Sequence, residues 1–289
     1  MAEVKEIVSG MFEETRAEAE GEDFHGEDGL LYCGKCRTPK ETVVPMPDFY
    51  NPDAPKKPKI LPCVCKCRAE EMKRRKERDE YEEKMRRIEA LRTSSLIESK
   101  FKEVRFKTFQ RTAENEQIYK LAVKYVENFG EMYEKNQGLI LWGTVGTGKS
   151  YTAACIANEL LERLTTVVMT SFVKILQDVQ KPDFDEKEYI RRLNEAKLLI
   201  IDDLGTERGT DYATEKVYNV IDSRYRAKKP MILTTNMTLG DMMNTTDIRY
   251  KRIYDRIFEM CYPVKMSGRS WREAEAARRF DAMKSFMEE

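Results

Sequence analysis

Eight consecutive residues constrain this chain more than any other feature: Gly143-Thr144-Val145-Gly146-Thr147-Gly148-Lys149-Ser150. They are entered by the apolar run Leu139 to Trp142 and left by an alanine-rich helical stretch. The run fits G-x-x-x-x-G-K-[ST] in full. Glycines let the backbone curl so that successive N–H groups point inward at phosphate oxygens, and the following helix adds the positive end of its dipole. Lys149 is expected to reach the β- and γ-phosphates, and Ser150 to place its hydroxyl on Mg²⁺. Such a loop belongs between a strand and a helix, so it commits this part of the chain to an α/β fold.

The residues after Thr108 agree. Ile118, Leu121, Ala122, Tyr125, Val126 and Phe129 form one face of a helix. Apolar runs recur at Leu139 to Trp142, Thr166 to Thr170, Leu198 to Ile201, Met231 to Thr235 and Tyr262 to Met266. Helical stretches such as Tyr151 to Leu164 and Ala213 to Arg226 separate them, which predicts a parallel sheet covered on both faces. The third run ends in Asp202-Asp203, acids that emerge at the carboxyl edge of the sheet where ligands of such folds sit. Asp202 is expected to hold Mg²⁺ through water and Asp203 to polarise an attacking water. The fourth run ends in Asn236, which either orients that water or caps a turn.

Lys+Arg and Asp+Glu both number 51, so any nucleic-acid contact needs a local patch. No apolar run approaches the ~20 residues that cross a bilayer. The first thirty residues carry ten acids and two bases, unlike a secretory signal or presequence, and a cytosolic protein is expected. In that reducing compartment, five cysteines between Cys33 and Cys67 read as metal ligands. Cys33-x-x-Cys36 has zinc-knuckle spacing, and Cys63, Cys65 and Cys67 offer three thiols for two remaining places. Six prolines between Pro39 and Pro58 predict a loop-built module that folds when metal is present. A short helix is expected around Val4 to Phe12. A charged connecting helix is expected from Lys66 to Arg92, with an apolar stripe at Tyr81, Met85, Ile88 and Leu91.

The motifs together resemble those of the AAA+ ATPases, and specifically the DnaC/DnaI-type replicative helicase loaders, phage-encoded versions included. The resemblance is carried by Asn128-Phe129 ahead of Gly138 to Gly143, by Asp202 to Glu207, and by Thr234-Thr235-Asn236. Arg256 to Cys261 and Gly268-Arg269-Ser270-Trp271-Arg272 look like the loaders' box VII and G-x-S-x-R motifs. The resemblance implies an AAA+ P-loop ATPase domain over 106–289, with a five-stranded parallel sheet and a minimal lid. It also implies a helical linker over 68–105 and a zinc-binding, helicase-interacting module over 1–67.

Carried over, it makes Gly143, Thr144, Gly146, Thr147, Gly148, Lys149, Ser150, Tyr151, Asp202 and Arg272 the ATP/ADP-binding set, with Ser150 and Asp202 on Mg²⁺. Lys149, Asp202, Asp203, Asn236 (sensor 1) and Arg256 (the arginine finger) would be catalytic. Arg249 and Arg252 compete for the finger, and Arg269 competes with Arg272 for the second sensor. Cys33, Cys36, Cys65 and Cys67 would hold Zn²⁺, with Cys63 as the spare thiol. The implied partners are a DnaB-type hexameric helicase, single-stranded DNA and further copies of the ATPase domain, in a bacterial cytoplasm or, for a phage protein, that of its host. Lys174, Lys181, Arg191 and Arg192, with Phe172 and Phe184, are candidates for the DNA. Two features depart from the wider AAA+ pattern. Asp203 stands where most members have Glu, which predicts slow hydrolysis stimulated by DNA or assembly, with Glu207 a possible substitute base. Only about fifty residues follow Asn236. The rival readings are an IstB-type transposase helper, which lacks such a cysteine module, and a nucleotide-sensing adaptor with negligible hydrolysis.

Overall fold

The computed structural model describes residues 22–47, 55–182, 184–205 and 211–288. The helix expected at Val4 to Phe12, and Thr206 and Glu207, lie outside the described residues. The chain divides into two compact units, Met1–Met85 and Arg86–Glu289.

In the first unit β1 (Phe24–His25) pairs antiparallel with β2 (Leu31–Tyr32), and β3 (Glu41–Met46) with β4 (Lys57–Pro62). The described ends of the proline-rich stretch therefore pair as β-strands where loops were expected. In a two-stranded ribbon each strand is an edge, so a residue without an N–H is tolerated when that side faces solvent. Pro45 and Pro58 sit opposite each other in the register. A long helix follows, α1 (Lys66–Ser94), and its first part belongs to this unit. Exposed pairs such as Lys73–Glu77 and Lys76–Glu80 run along it, each adding a few tenths of a kcal/mol to helix stability (about 0.3–0.5). Among the described residues up to Met85, the buried ones are Cys33 and Cys65. A unit whose buried side chains are two thiols has no apolar core.

The second unit is built on a sheet. Short 3-10 turns at Ser99–Phe101 and Phe106–Thr108 lead into α2 (Glu116–Glu127) and α3 (Phe129–Glu134). Then come β5 (Gly138–Trp142), α4 (Lys149–Glu162), β6 (Val167–Ser171), α5 (Phe172–Val179), α6 (Glu186–Glu195) and β7 (Leu198–Leu204). After these follow α7 (Asp211–Arg226), β8 (Met231–Thr235), α8 (Leu239–Met243), α9 (Ile248–Met260), β9 (Cys261–Lys265) and α10 (Trp271–Glu288). The five strands β5 to β9 pair in parallel, in the order β6-β7-β8-β5-β9. All five expected strands are present, each within a few residues of its expected ends.

Both faces of the sheet are buried, and the period of two along each strand decides which residue serves which face. Leu139 and Leu141 join Leu198, Ile200 and Ile232 under α2 and α4, while Ile140 joins Leu199, Ile201 and Leu233 under α7 and α9. The free edge of β6 is covered: the Ser95 carbonyl accepts from Met169 N–H at 2.8 Å. That contact blunts a strand edge that would otherwise offer its amides to another chain.

Fully buried Arg224, near the end of α7, donates to the carbonyls of Ala196 (2.9 Å), Lys197 (2.9 Å) and Pro230 (2.7 Å), and at 3.4 Å to Leu193. It ties the start of β7 to the start of β8. Burial lowers its pKa to about 10, so the guanidinium stays charged at neutral pH. Arg224→Leu should destabilise the second unit by about 3 kcal/mol or more, since several carbonyls lose their donor at once. A melting temperature lowered by roughly 5–10 °C would show it, and an unchanged one would contradict it.

Candidate functional site

Parallel pairing puts the carboxyl ends of β5, β7 and β8 at one edge, and the expected site residues gather there. The Gly143–Gly148 loop leaves β5 and turns directly into α4, whose cap is Gly148 with no side chain of its own to satisfy the first turn. Two glycines are demanded by close approach as well as by conformation. At Gly143 (φ 146°) a Cβ would stand 2.1 Å from the Met266 carbonyl oxygen, and at Gly146 (φ 83°) it would stand 2.1 Å from Ser270 Oγ. The segment from Met266 to Trp271 thus lies on the loop, and Trp271 N–H donates to the Gly146 carbonyl at 3.0 Å. Lys149 is buried and donates to the carbonyls of Gly143 (2.9 Å) and Thr144 (2.7 Å). Burial lowers its pKa, the charges of Asp203 and Asp202 oppose that shift, and Arg272 adds to it. Lys149 and Arg272 therefore share one electrostatic neighbourhood with the two acids.

Asp202 and Asp203 form the tip of β7. Burial raises the Asp202 pKa, while the hydroxyls of Thr234 and Ser150 act in the opposite direction. The hydroxyl that ends the loop and the first acid of the strand tip thus face each other. Hard oxygen ligands from a hydroxyl and a carboxylate suit Mg²⁺, so the residues present fit that ion. Asp203 has φ 56°, a left-handed conformation uncommon for a residue with a side chain. Asn236 follows β8 directly and is exposed, and Gly143 N–H donates to the carbonyl of its neighbour Thr235 at 3.3 Å.

Beside Thr147 and Gly148 opens a cavity of about 270 Å³, lined also by Thr108, Phe109, Gln110, Tyr151, Trp271 and Arg278. Phe109 packs edge-on against Tyr151 at 5.8 Å and lies 5.3 Å from Tyr119, and the Tyr151 hydroxyl donates to the Thr108 carbonyl. Of these residues, sequence reasoning selected only Thr147, Gly148 and Tyr151. The rest come from the turn before α2 and from α10, more than a hundred residues apart, and only their aromatic content hints at a wall.

Arg256, on α9, is paired with Asp222 (2.9 Å) and donates to Tyr218 Oη at 3.1 Å, with its guanidinium 5.0 Å from the Tyr218 ring and 5.7 Å from that of Tyr225. Arg249 is held by Asp247 and Asp211, and Arg252 is exposed one turn before Arg256. Phe172 is core, Arg191 is paired with Glu188 and Glu195, and Lys181 with Asp178.

In the first unit, the sulfurs of Cys33, Cys36, Cys65 and Cys67 all lie within 4.8 Å of one another. Cys33–Cys67 is 3.6 Å and Cys65–Cys67 is 3.4 Å, close to the ~3.8 Å edge of a tetrahedron with ~2.3 Å zinc–sulfur bonds. Hydrogen bonding from Thr38 brings Cys36 down to about 5, while its thiol neighbours, Cys65 first, push Cys67 up to about 12. A divalent cation would relieve that conflict, since it favours the thiolate at each position. Cys63 lies outside the cluster, with its thiol toward the Pro39 carbonyl at 3.4 Å. Lys149→Ala should abolish nucleoside-triphosphate binding in a protein that still folds; equilibrium titration that finds undiminished affinity would remove the phosphate loop from the site.

The family described as IstB-like ATP binding protein matches residues 67–278. Among curated relatives, the phage-like element PBSX protein XkdC of Bacillus subtilis is 29% identical over 199 residues, 64% of this chain and 73% of that protein. The replicative helicase loader DnaC of Escherichia coli is 30% identical over 141 residues, 47% of this chain and 55% of that protein. The replicative helicase loader DnaI of Bacillus subtilis is 25% identical over 182 residues, 57% of this chain and 58% of that protein. The chain thus spans only a little over half the length of either loader. A crystal structure of DnaI superposes with a TM-score of 0.51 at 21% identity, covering 62% of this chain and 98% of that one, which supports the fold. With an AAA+ P-loop fold and a family match over more than half its length, the chain belongs to the IstB-like ATP binding proteins.

Proposed function

We propose that this protein is an ATP-dependent loader that delivers a DnaB-type hexameric helicase onto single-stranded DNA. The observation that carries the reading is the cradle of residues 143–150 facing the Asp202–Asp203 tip, in a chain that also bears a separate four-thiol unit. The triphosphate would lie along Gly143 to Ser150, where Lys149 exchanges its two carbonyl partners for phosphate oxygens, and the base would enter the cavity walled by Phe109, Tyr151 and Trp271. Mg²⁺, when bound, would neutralise charge on the β- and γ-phosphates. Arg272, close to Lys149, would meet the γ-phosphate, and Asp203 with Asn236 would orient the water. Hydrolysis would be slow, because Asp203 is a short base set on a constrained backbone. No helix among the described residues is long and apolar enough to cross a membrane, in keeping with work in a bacterial or phage-infected cytoplasm.

The domains we propose are a zinc-binding, helicase-gripping module over 1–67, a linker over 68–105 and the ATPase over 106–289. The cysteine unit favours this reading over a transposase helper. The deciding experiment is capture by the full-length protein: a hexameric replicative helicase retained from host lysate and passed to single-stranded DNA when ATP is added supports it. Retention of a transposase instead would select the helper.

Purified protein should carry about one zinc per chain. Cys65→Ser should lose that metal while ATP affinity stays unchanged; metal analysis finding no zinc in the wild type would end the zinc assignment. Arg256→Ala should bind ATP normally yet lose the hydrolysis stimulated by single-stranded DNA. Normal turnover in that variant would move the finger to exposed Arg252.

A further inference from the structure

The pairing of β7 with β8 contains a register shift whose consequences converge on one side chain. Ile201 pairs with Leu233 and Leu204 pairs with Thr235, so Asp202 and Asp203 together oppose the single residue Thr234. This is a β-bulge, and a bulged residue lacks its regular ladder partner. Thr234 is fully buried, and its hydroxyl fills the gap: Oγ1 accepts from Asp203 N–H at 2.9 Å and donates to Asp202 Oδ1 at 2.6 Å. A hydroxyl has one proton and two lone pairs. One lone pair accepts from the amide, and the proton is given to the carboxylate oxygen within reach.

We propose that Thr234 is a positioning residue for the metal–nucleotide site: its hydroxyl holds the Asp202 carboxylate in a fixed rotation and the Asp203 backbone in its left-handed turn. Pinning Oδ1 leaves Oδ2 to face the ion's water shell, and the same bond sets the direction in which Asp203 leaves the strand. One hydroxyl thus orients both acids. The fully buried position, the bulge that the hydroxyl fills and the 2.6 Å bond to the carboxylate all agree on this role. A hydroxyl kept merely to satisfy the bulge amide would require no carboxylate within 2.6 Å of it.

This inference rests on the nucleotide site proposed above, and its test is arranged to fail separately from it. Full-length wild type, Thr234→Val and Thr234→Ser are compared by affinity for a non-hydrolysable ATP analogue, with and without Mg²⁺, and by hydrolysis across Mg²⁺ concentrations. Valine keeps the shape and loses the hydroxyl; serine keeps the hydroxyl. Thr234→Val should bind the metal-free analogue as the wild type does, while its half-saturating Mg²⁺ rises and its kcat falls, each about tenfold, as for other groups that orient metal ligands. Thr234→Ser should recover most of both. A valine variant with wild-type Mg²⁺ dependence, or valine and serine variants equally impaired, would overturn the proposal. Should Thr234→Val fail to fold, Thr234→Ala takes its place with the same criteria. If the wild type binds the analogue with Mg²⁺ but hydrolyses no ATP, the loader's ATPase reading falls while the binding comparison still decides on Thr234.

Discussion

Parallel hydrogen bonding of β5 to β8 on one side and to β9 on the other is the constraint on which the site rests. With β5 held between β8 and β9, the chain leaving it must turn sharply at the sheet edge, and the Gly143–Gly148 loop makes that turn. The neighbours close around it. The Thr235 carbonyl from β8 accepts from Gly143, and the segment after β9 lies on Gly143 and Gly146 too tightly for any side chain there. The glycines therefore answer to packing against Met266 and Ser270 as much as to a ligand. One further consequence is that Arg272, at the start of α10, falls within the electrostatic reach of Lys149, because the residues just before it are fastened to the loop.

The first unit solves a different problem. Its ribbons are two-stranded, and such pairs are marginal in water unless something is buried against them. What is buried is sulfur: Cys33 from the turn after β2 and Cys65 just ahead of α1. Cys36 is in that same turn, and Cys67 lies in the first turn of the helix. The four thiols therefore tie the ribbon region to the helix start across more than thirty residues of sequence. Hydrogen bonding sets these thiols against one another, with Cys36 pulled down by Thr38 and Cys67 pushed up by Cys65. A metal would turn that opposition into cohesion, and the unit would gain the centre that its apolar residues do not supply.

How much of this is legible in the sequence follows from how local each signal is. The phosphate loop, the five strands and Asp202 can be read directly, because each is a run of neighbouring residues whose pattern reports its own backbone. Cys33 and Cys36 are legible by spacing. The choice of Cys65 and Cys67 over Cys63 rests on the family resemblance, and the geometry agrees with it. The pairing of Glu41–Met46 with Lys57–Pro62 is not legible, because proline argues against strands except where both strands are edges. Thr234 is invisible as a site residue: in sequence it is one more β-branched residue of a buried strand, and its role arises from a bulge in the strand beside it. The cavity wall at Phe109 and Trp271 is hidden for the same reason, since the two residues meet only through tertiary packing. The arginines divide similarly, because nothing in the run Arg249 to Arg256 reveals that α7 supplies Asp222 and Tyr218 to hold one of them.

Charge balance gives that arginine arrangement a physical meaning. Lys149 lies within the electrostatic reach of Asp202, Asp203 and Arg272, so the site already mixes charges of both signs. A magnesium–triphosphate complex adds roughly two negative charges to this mixed set, and more of that charge gathers on the transferred oxygens as hydrolysis proceeds. A further cation is needed to stabilise it, and a guanidinium serves best because it has no proton to lose at neutral pH. Within this chain Arg249 is spoken for by Asp247 and Asp211, and Arg256 by Asp222 and the Tyr218 hydroxyl, none of which lines the nucleotide cavity. We propose that this cation is supplied by a second copy of the chain. Hydrolysis that waits for a second copy to supply that charge is the behaviour expected of a switch, in which the bound nucleotide marks time until assembly is complete.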